Sequence, residues 1–243
     1  MGLILINTLR ARTVITHYPY ANLGRADHGW LDARHHFSFS NYQNPQRQQF
    51  GVLRVINDDV IKAGTGFDTH SHRNMEIITY VREGAITHKD SNGNVGRTEA
   101  GDVQVMSAGT GISHSEFNLE GEDTNIFQIW IEPNQLNAKP QWDSHEFPKN
   151  PTTDSLTLLV SGDGTATLSI NQDAFIYAGH LLKDTELNHP IKQQAYVLVS
   201  EGSLELEGQI LNKGDGLEVT DLSTISMKAL SDTKLLVIDV PQK

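Results

Sequence analysis

Cysteine is absent from all 243 residues. That absence removes thiolate nucleophiles, iron–sulfur ligation and Cys-x-x-Cys redox chemistry together, fits a cytoplasmic setting, and leaves His, Asp and Glu as the side chains on which a metal can rest. Long hydrophobic runs are also missing. The N-terminal apolar stretch, Leu3 to Ile6, is too short for the core of a signal peptide or for a membrane span, so the expectation is a chain neither exported nor membrane-bound. The Met-Gly start lacks a myristoylation signal, because Ile6 stands where that signal needs Ser or Thr. Basic charge is in deficit. Nineteen Lys and Arg against 30 Asp and Glu give a net charge of −11, a poor basis for holding a phosphate backbone, and direct nucleic-acid binding is not expected. The acidic residues are dispersed, with no block of like charge that would mark an interaction tail.

Amphipathic helix is scarce as well, and short β-rich runs take its place. VLRVI (52–56), IITYV (77–81), VQVM (103–106), FQIWI (127–131), LTLLV (156–160), YVLVS (196–200) and KLLVID (234–239) are separated by Gly, Asn and Asp at fairly regular spacing. The pattern predicts an all-β protein of sandwich or barrel type. A hairpin is expected at AITHKD-SNGN-VGR, where Asn92-Gly93 can supply positive φ. Between Glu132 and Ser155 the text turns rich in Pro and Asn and loses periodicity, which reads as a linker. The expected organisation is an N-terminal domain over 1–135, a linker over 136–155 and a C-terminal domain over 156–243.

The two halves read as copies. EIITYVREGAIT (76–87) resembles QAYVLVSEGSLE (194–205), and GDVQVMSAGTGISHSE (101–116) aligns without gaps on GDGLEVTDLSTISMKA (214–229). In that register His70 falls on Asn188, His72 on Pro190, His114 on Met227 and Glu116 on Ala229. The chemistry therefore belongs to the first copy. Residues i and i+2 of a strand share a face, so His70 and His72 present two imidazoles together, and His114 and Glu116 do the same on a second strand. A lone His-x-His is a weak signal. Joined to His-x-Glu in one copy and lost from the other, it predicts a single metal site with ligands His70, His72, His114 and Glu116. Three nitrogens and a carboxylate suit Fe, Ni, Mn, Cu or Zn better than Mg or Ca.

The stretches GTGFDTHSHRNMEIITYVREG, DSNGNVGRTEAGDVQVMSAGTGISHSE and ADHGWLDARHHFSFSNY together resemble the pirin family of the cupin superfamily, densely between Gly29 and Trp130. The resemblance implies a bicupin of two tandem β-barrels and one mononuclear metal, iron first among the candidates, on the family's two histidines of HxH and the His and Glu of HSE. Those fall on His70, His72, His114 and Glu116. The general cupin pattern keeps a glutamate ligand where Glu76 stands; the HSE match and the shared strand face favour Glu116, leaving Glu76 as a supporting or structural residue. The glycines of MSAGTG are expected to let that loop turn tightly beside the metal.

Two functions follow from the resemblance. Bacterial members resemble quercetin 2,3-dioxygenases, which open the flavonol heterocycle with O2 and release carbon monoxide; animal pirins resemble iron-dependent co-regulators that bind a protein partner. The enzyme reading is preferred, with Glu116 as general base toward the flavonol 3-hydroxyl. A sensor or protein-binding module is the alternative, and a monomer is expected because two fused barrels can cover the faces that single ones bury by dimerising. HHFSFSNY (35–42) reads as a strand with Phe37 and Phe39 on one face, in the core or against a pocket, and His36 as a candidate beside the site. His17, His28, His35, His88, His145, His180 and His189 follow no ligand spacing and read as surface or structural residues.

Overall fold

The computed structural model describes residues 14–243, so the Leu3 to Ile6 run and the Met-Gly start lie outside the described residues. In chain order the strands are β1 (Val14–Tyr18), β2 (Gly24–Asp27), β3 (Leu31–His35), β4 (Leu53–Ile61), β5 (Gly66–His72), β6 (Glu76–Glu83), β7 (Ala85–Asp90), β8 (Val95–Glu99), β9 (Val103–Ser107), β10 (Ile112–Phe117) and β11 (Thr124–Ile131). There follow β12 (Gln141–His145), β13 (Thr157–Ser161), β14 (Leu168–Ser169), β15 (Phe175–Leu181), β16 (Glu186–Pro190), β17 (Gln194–Glu201), β18 (Ser203–Leu206), β19 (Gln209–Asn212), β20 (Gly216–Thr220), β21 (Thr224–Ala229) and β22 (Thr233–Val240). Among the described residues no helix is long and apolar enough to cross a membrane.

Two halves repeat one plan. A seven-stranded sheet in the order β12-β9-β6-β11-β4-β3-β2 is matched by β1-β20-β17-β22-β15-β13-β14, and a four-stranded sheet β5-β10-β7-β8 by β16-β21-β18-β19. The large sheets pack back to back. Along β6, Ile78 and Tyr80 join the core between them, while Ile77 and Val81 turn into the first barrel; along β17, Tyr196 and Leu198 join the same core and Ala195, Val197 and Val199 fill the second barrel. Both faces of these central strands are covered, which is why their sequences are continuously apolar rather than alternating.

The second barrel has an apolar core. Leu187, Leu204, Leu206, Ile225 and Met227 pack together inside it, and Met227 and Leu187 are directly paired across β16 and β21. His189, buried on the same strand, meets Tyr177 edge-on at 4.5 Å, and burial lowers it to about 4.

Two strands cross the expected boundaries. β12 lies inside the segment read as linker and pairs with β9, and β1, assigned by sequence to the first half, pairs with β20 of the second. Both are sheet edges, and an edge strand needs only one apolar face. β12 carries Trp142 inward between exposed Gln141 and Asp143, with Pro140 and Pro148 outside the paired stretch, so proline content hid it. The β7–β8 turn also differs from expectation: Gly93 alone takes positive φ, at 90°, and the Asp90 carboxylate accepts hydrogen bonds from the Asn92 and Asn94 amides at 2.9 and 3.0 Å.

Candidate metal centre

His70 on β5 stands directly opposite His114 on β10, and the His70, His72 and His114 rings have centroids 4.5 to 5.1 Å apart. Their ligand nitrogens all lie within 4.8 Å of one another. The β5–β10 register slips between His114 and Glu116, so Glu116 pairs with Phe67 while Asp68 and Thr69 fall outside the ladder. Bulges of this kind re-aim side chains next to active sites. Here the bulge leaves the Asp68 carbonyl 2.7 Å from His70 Nδ1, and a carbonyl can only accept, so Nδ1 is the donor and the neutral ring would present Nε2 as its lone pair.

The environment keeps the other two rings neutral. Burial first, then the neighbouring His114 and His70, lowers His72 to about 4; burial, then His70 and His88, lowers His114 to about 3. Neutral imidazole is the ligand form. His114 Nε2 is fully buried and has no hydrogen-bond partner, an arrangement that costs about 1–3 kcal/mol unless something occupies the site. That orphaned nitrogen, beside two further imidazoles, fits a borderline divalent ion.

Glu116 is 2% exposed and tightly oriented. Thr79 Oγ1 and Gln104 Nε2 donate to its Oε1 at 3.1 and 2.6 Å, and Gln128 Nε2 donates to its Oε2 at 2.9 Å. It groups with His114 and His88 rather than with all three of the other predicted ligands, its ligand oxygen lying within 4.8 Å of theirs. The site opens into a cavity of about 920 Å³ that also takes in Phe39, Phe67, Trp30 and Trp130, and this is within the range of pockets that enclose a small molecule. Trp130 meets His72 edge-on at 4.9 Å and Phe39 at 5.4 Å. Asp59 borders the same cavity. Its Oδ1 is buried without a partner, and burial, then the Asp58 and Glu116 charges, raises it well above the ordinary carboxylate range.

Several sequence expectations are corrected. The stretch 35–42 is not a strand beyond His35: it turns at Ser40, with φ of 49°, so Phe37 enters the core between the sheets while Phe39 walls the cavity. His36 faces away from the metal site and has its Nδ1 3.0 Å from Tyr196 Oη of the second half. Glu76, read as a supporting or structural residue, is buried at the start of β6, accepting from Ser107 Oγ at 2.5 Å and Asn171 Nδ2 at 3.2 Å, outside both ligand groups. His35, read as structural, borders the cavity with Nδ1 2.8 Å from Asn57 Oδ1.

His88, also read as surface or structural, is 1% exposed and lies immediately behind His114, with the two Nδ1 atoms 3.5 Å apart. Its Nε2 is 3.1 Å from Asp90 Oδ2, and its ring stacks on Trp142 at 4.8 Å and 10°. A Cβ on Gly96, opposite His88 in the β7–β8 ladder, would sit 2.1 Å from the Trp142 ring, so any other residue there would displace the indole. The visible signal was His-x-Asp at 88 and 90, on a strand paired with the one that carries His114 and Glu116.

A histidine cluster on the small sheet of one barrel, beside a second barrel with an apolar interior, defines a two-domain cupin with one candidate metal centre. Residues 16–131 match the family model described as Pirin, and residues 158–240 match the one described as quercetinase C-terminal cupin domain. A Pseudomonas aeruginosa protein provisionally named quercetin 2,3-dioxygenase is 51% identical over 231 residues, covering 93% of this chain and 100% of that one. The protein named quercetin 2,3-dioxygenase in Escherichia coli K12 is 42% identical over 222 residues, 90% and 95% of the two chains. The crystal structure of the E. coli bacterial pirin YhhW in complex with nickel(II) superposes with a TM-score of 0.89 at 40% identity, covering 95% of this chain and 100% of that one. The chain belongs to the pirin family.

Proposed function

We propose that this protein is a metal-dependent dioxygenase of the quercetinase type, which opens the flavonol ring with O2 and releases carbon monoxide. The observation that carries the reading is the convergence of three imidazoles, one with an orphaned buried nitrogen, on an aromatic-walled cavity of about 920 Å³. The names of the relatives and the nickel in YhhW support it. His70, His72, His114 and Glu116 would hold one divalent transition ion, with iron preferred and Ni, Mn, Cu and Zn also compatible with the donor set. When bound, the ion supplies Lewis acidity toward an oxyanion and a template for O2.

The rest of the chemistry belongs to the chain. Glu116 accepts the proton of the flavonol 3-hydroxyl, and the donors on Thr79, Gln104 and Gln128 keep its carboxylate aimed. Phe39 and Trp130 give the flat rings of the ligand an apolar wall. The back faces of both barrels are covered within one chain, which supports a monomer.

Oxygen uptake by metal-reconstituted protein given quercetin, with His114→Ala as the control, tests the reading. Uptake by the wild type alone supports it. No uptake with Fe, Ni, Mn or Cu, in protein that holds the ion, replaces it with a protein-binding or sensor module.

A further inference from the structure

We infer that Asp90 and His88 are positioning residues, fixing the ring tautomer of His114 so that Nε2 is the atom presented to the ion. The inference rests on His114 being a metal ligand and is independent of the substrate.

With both imidazoles in the neutral form that binds metal, the proton count along the row of atoms leaves one arrangement. Asp90 Oδ2 already accepts from Asn94 Nδ2 at 2.9 Å, and its Oδ1 accepts from the two turn amides, so the carboxylate is an acceptor held in place by its own hairpin. Its neighbour at 3.1 Å, His88 Nε2, must then be the donor. A ring with its single proton on Nε2 offers a bare Nδ1, and that lone pair faces His114 Nδ1 at 3.5 Å. His114 must donate across this contact. Its own proton is therefore held on Nδ1, and Nε2, the buried atom with no partner, is left as the free lone pair. Were His114 in the other tautomer, two bare Nδ1 atoms would face each other and an N–H would point into the cluster.

Independent features hold the row rigid. The His88 ring lies flat on Trp142 of β12, and glycine at 96 makes room for that indole. The Asn-Gly hairpin and an edge strand from the proline-rich segment thus act on the metal centre through His88. His70 has a separate device with the same outcome, the Asp68 carbonyl freed by the β5 bulge. Outer partners of metal-bound histidines, when removed, typically weaken metal affinity about 10- to 100-fold.

Long-range proton–nitrogen NMR of the metal-free protein reads both ring nitrogens of each histidine, and nickel(II) affinity is read by competition with a chromophoric chelator. The wild type should show His114 protonated at Nδ1. His88→Phe keeps a flat ring on Trp142 but removes the acceptor; it should lose about 10- to 100-fold in nickel affinity and show mixed His114 tautomers. His88→Gln loses the flat ring but can accept through Oε1, and should lose less than the roughly 10-fold that marks a removed outer partner. A packing role alone would reverse that order. The inference is overturned by a wild-type His114 proton on Nε2, by wild-type affinity in His88→Phe, or by His88→Gln binding more weakly than His88→Phe. If His88→Phe does not fold, the wild-type spectrum decides. A wild type that binds no nickel overturns the metal centre itself, and its His114 tautomer still decides the role of His88.

Discussion

His70 and His114 are directly paired across β5 and β10, with ring centroids 4.5 Å apart. Direct cross-strand partners share a face of the sheet, so the strands, not their loops, set the ligand spacing. A site built on paired strands tolerates loss of one side chain without loss of fold. His114→Ala should retain the wild-type melting profile of the metal-free protein while its nickel affinity falls by more than about 100-fold, beyond the range of an outer-shell change. Chelator competition on both proteins measures this, and equal affinities would remove His114 from the ligand set.

Glu116 separates binding from turnover. Replacing it by Gln keeps its volume and removes its basicity; the amide oxygen can still accept from Thr79 and Gln104, and Gln128 must turn its own amide oxygen toward the new NH2. A general base contributes about 10²- to 10⁴-fold, so kcat on quercetin should fall by that much in Glu116→Gln while most of the metal stays bound. Metal content by mass spectrometry and oxygen uptake are measured on the same sample. Full turnover would take the base role from Glu116.

Trp130 touches both the ligand set and the cavity wall, meeting His72 and Phe39 edge-on. An aromatic contact is worth about 0.5–1.5 kcal/mol beyond its buried area, so Trp130→Ala should raise KM for quercetin roughly 3- to 10-fold, with nickel affinity nearly unchanged. Unaltered KM would show that the flavonol lies elsewhere in the cavity.

The all-β class was legible because period-2 and continuous apolar runs such as IITYV and YVLVS carry their own signal. The repeat was legible because the two barrels share a strand order. The spacing of His70, His72 and His114 survived for the same reason, since i, i+2 positions stay on one face. What stayed hidden were the partners that reach the site from further strands. His88 joins the site through the β7–β10 ladder, Gln104 and Gln128 reach Glu116 from β9 and β11, and none of these contacts leaves a spacing in one linear stretch. His36 faces away from the site because β3 ends at His35, which breaks the alternation read through 35–42.

Arg82, held by Asp58 of its own half, fastens the two halves through Ser200. Both side chains are about 5% exposed; Arg82 Nη1 donates to Asp58 Oδ1 at 2.5 Å, and Arg82 also donates to the Ser200 carbonyl and hydroxyl of the second half at 2.8 and 3.1 Å. Burial, opposed by Arg82, already raises the Asp58 pKa. Arg82→Met leaves a buried carboxyl without its cation and should cost about 3–5 kcal/mol in urea unfolding. A change within about 0.5 kcal/mol, the scale of an ordinary surface substitution, would mean that Arg82 is not holding the halves together.

Acid stability follows from His36. Burial first, then the Arg47, His35 and Arg82 charges, lowers it to about 3, and its Nε2 is buried without a partner. An unfolded chain takes up that proton near pH 6.5, whereas the native one does not until about pH 3. Between those values the unfolded state binds more protons, so stability is fully present above pH 6.5 and is lost as pH falls. At up to 1.36 kcal/mol per pH unit, His36 should remove about 2–3 kcal/mol between pH 7 and 4.5. Carboxylates titrate in the same window, but their contribution cancels in the difference between two proteins that share them. Urea unfolding of the metal-free wild type and of His36→Gln, which has no proton to gain, isolates the term. The variant, whatever its stability at pH 7, should lose about 2–3 kcal/mol less than wild type on going to pH 4.5; parallel losses would mean that His36 is protonated in the native state as readily as in the unfolded one.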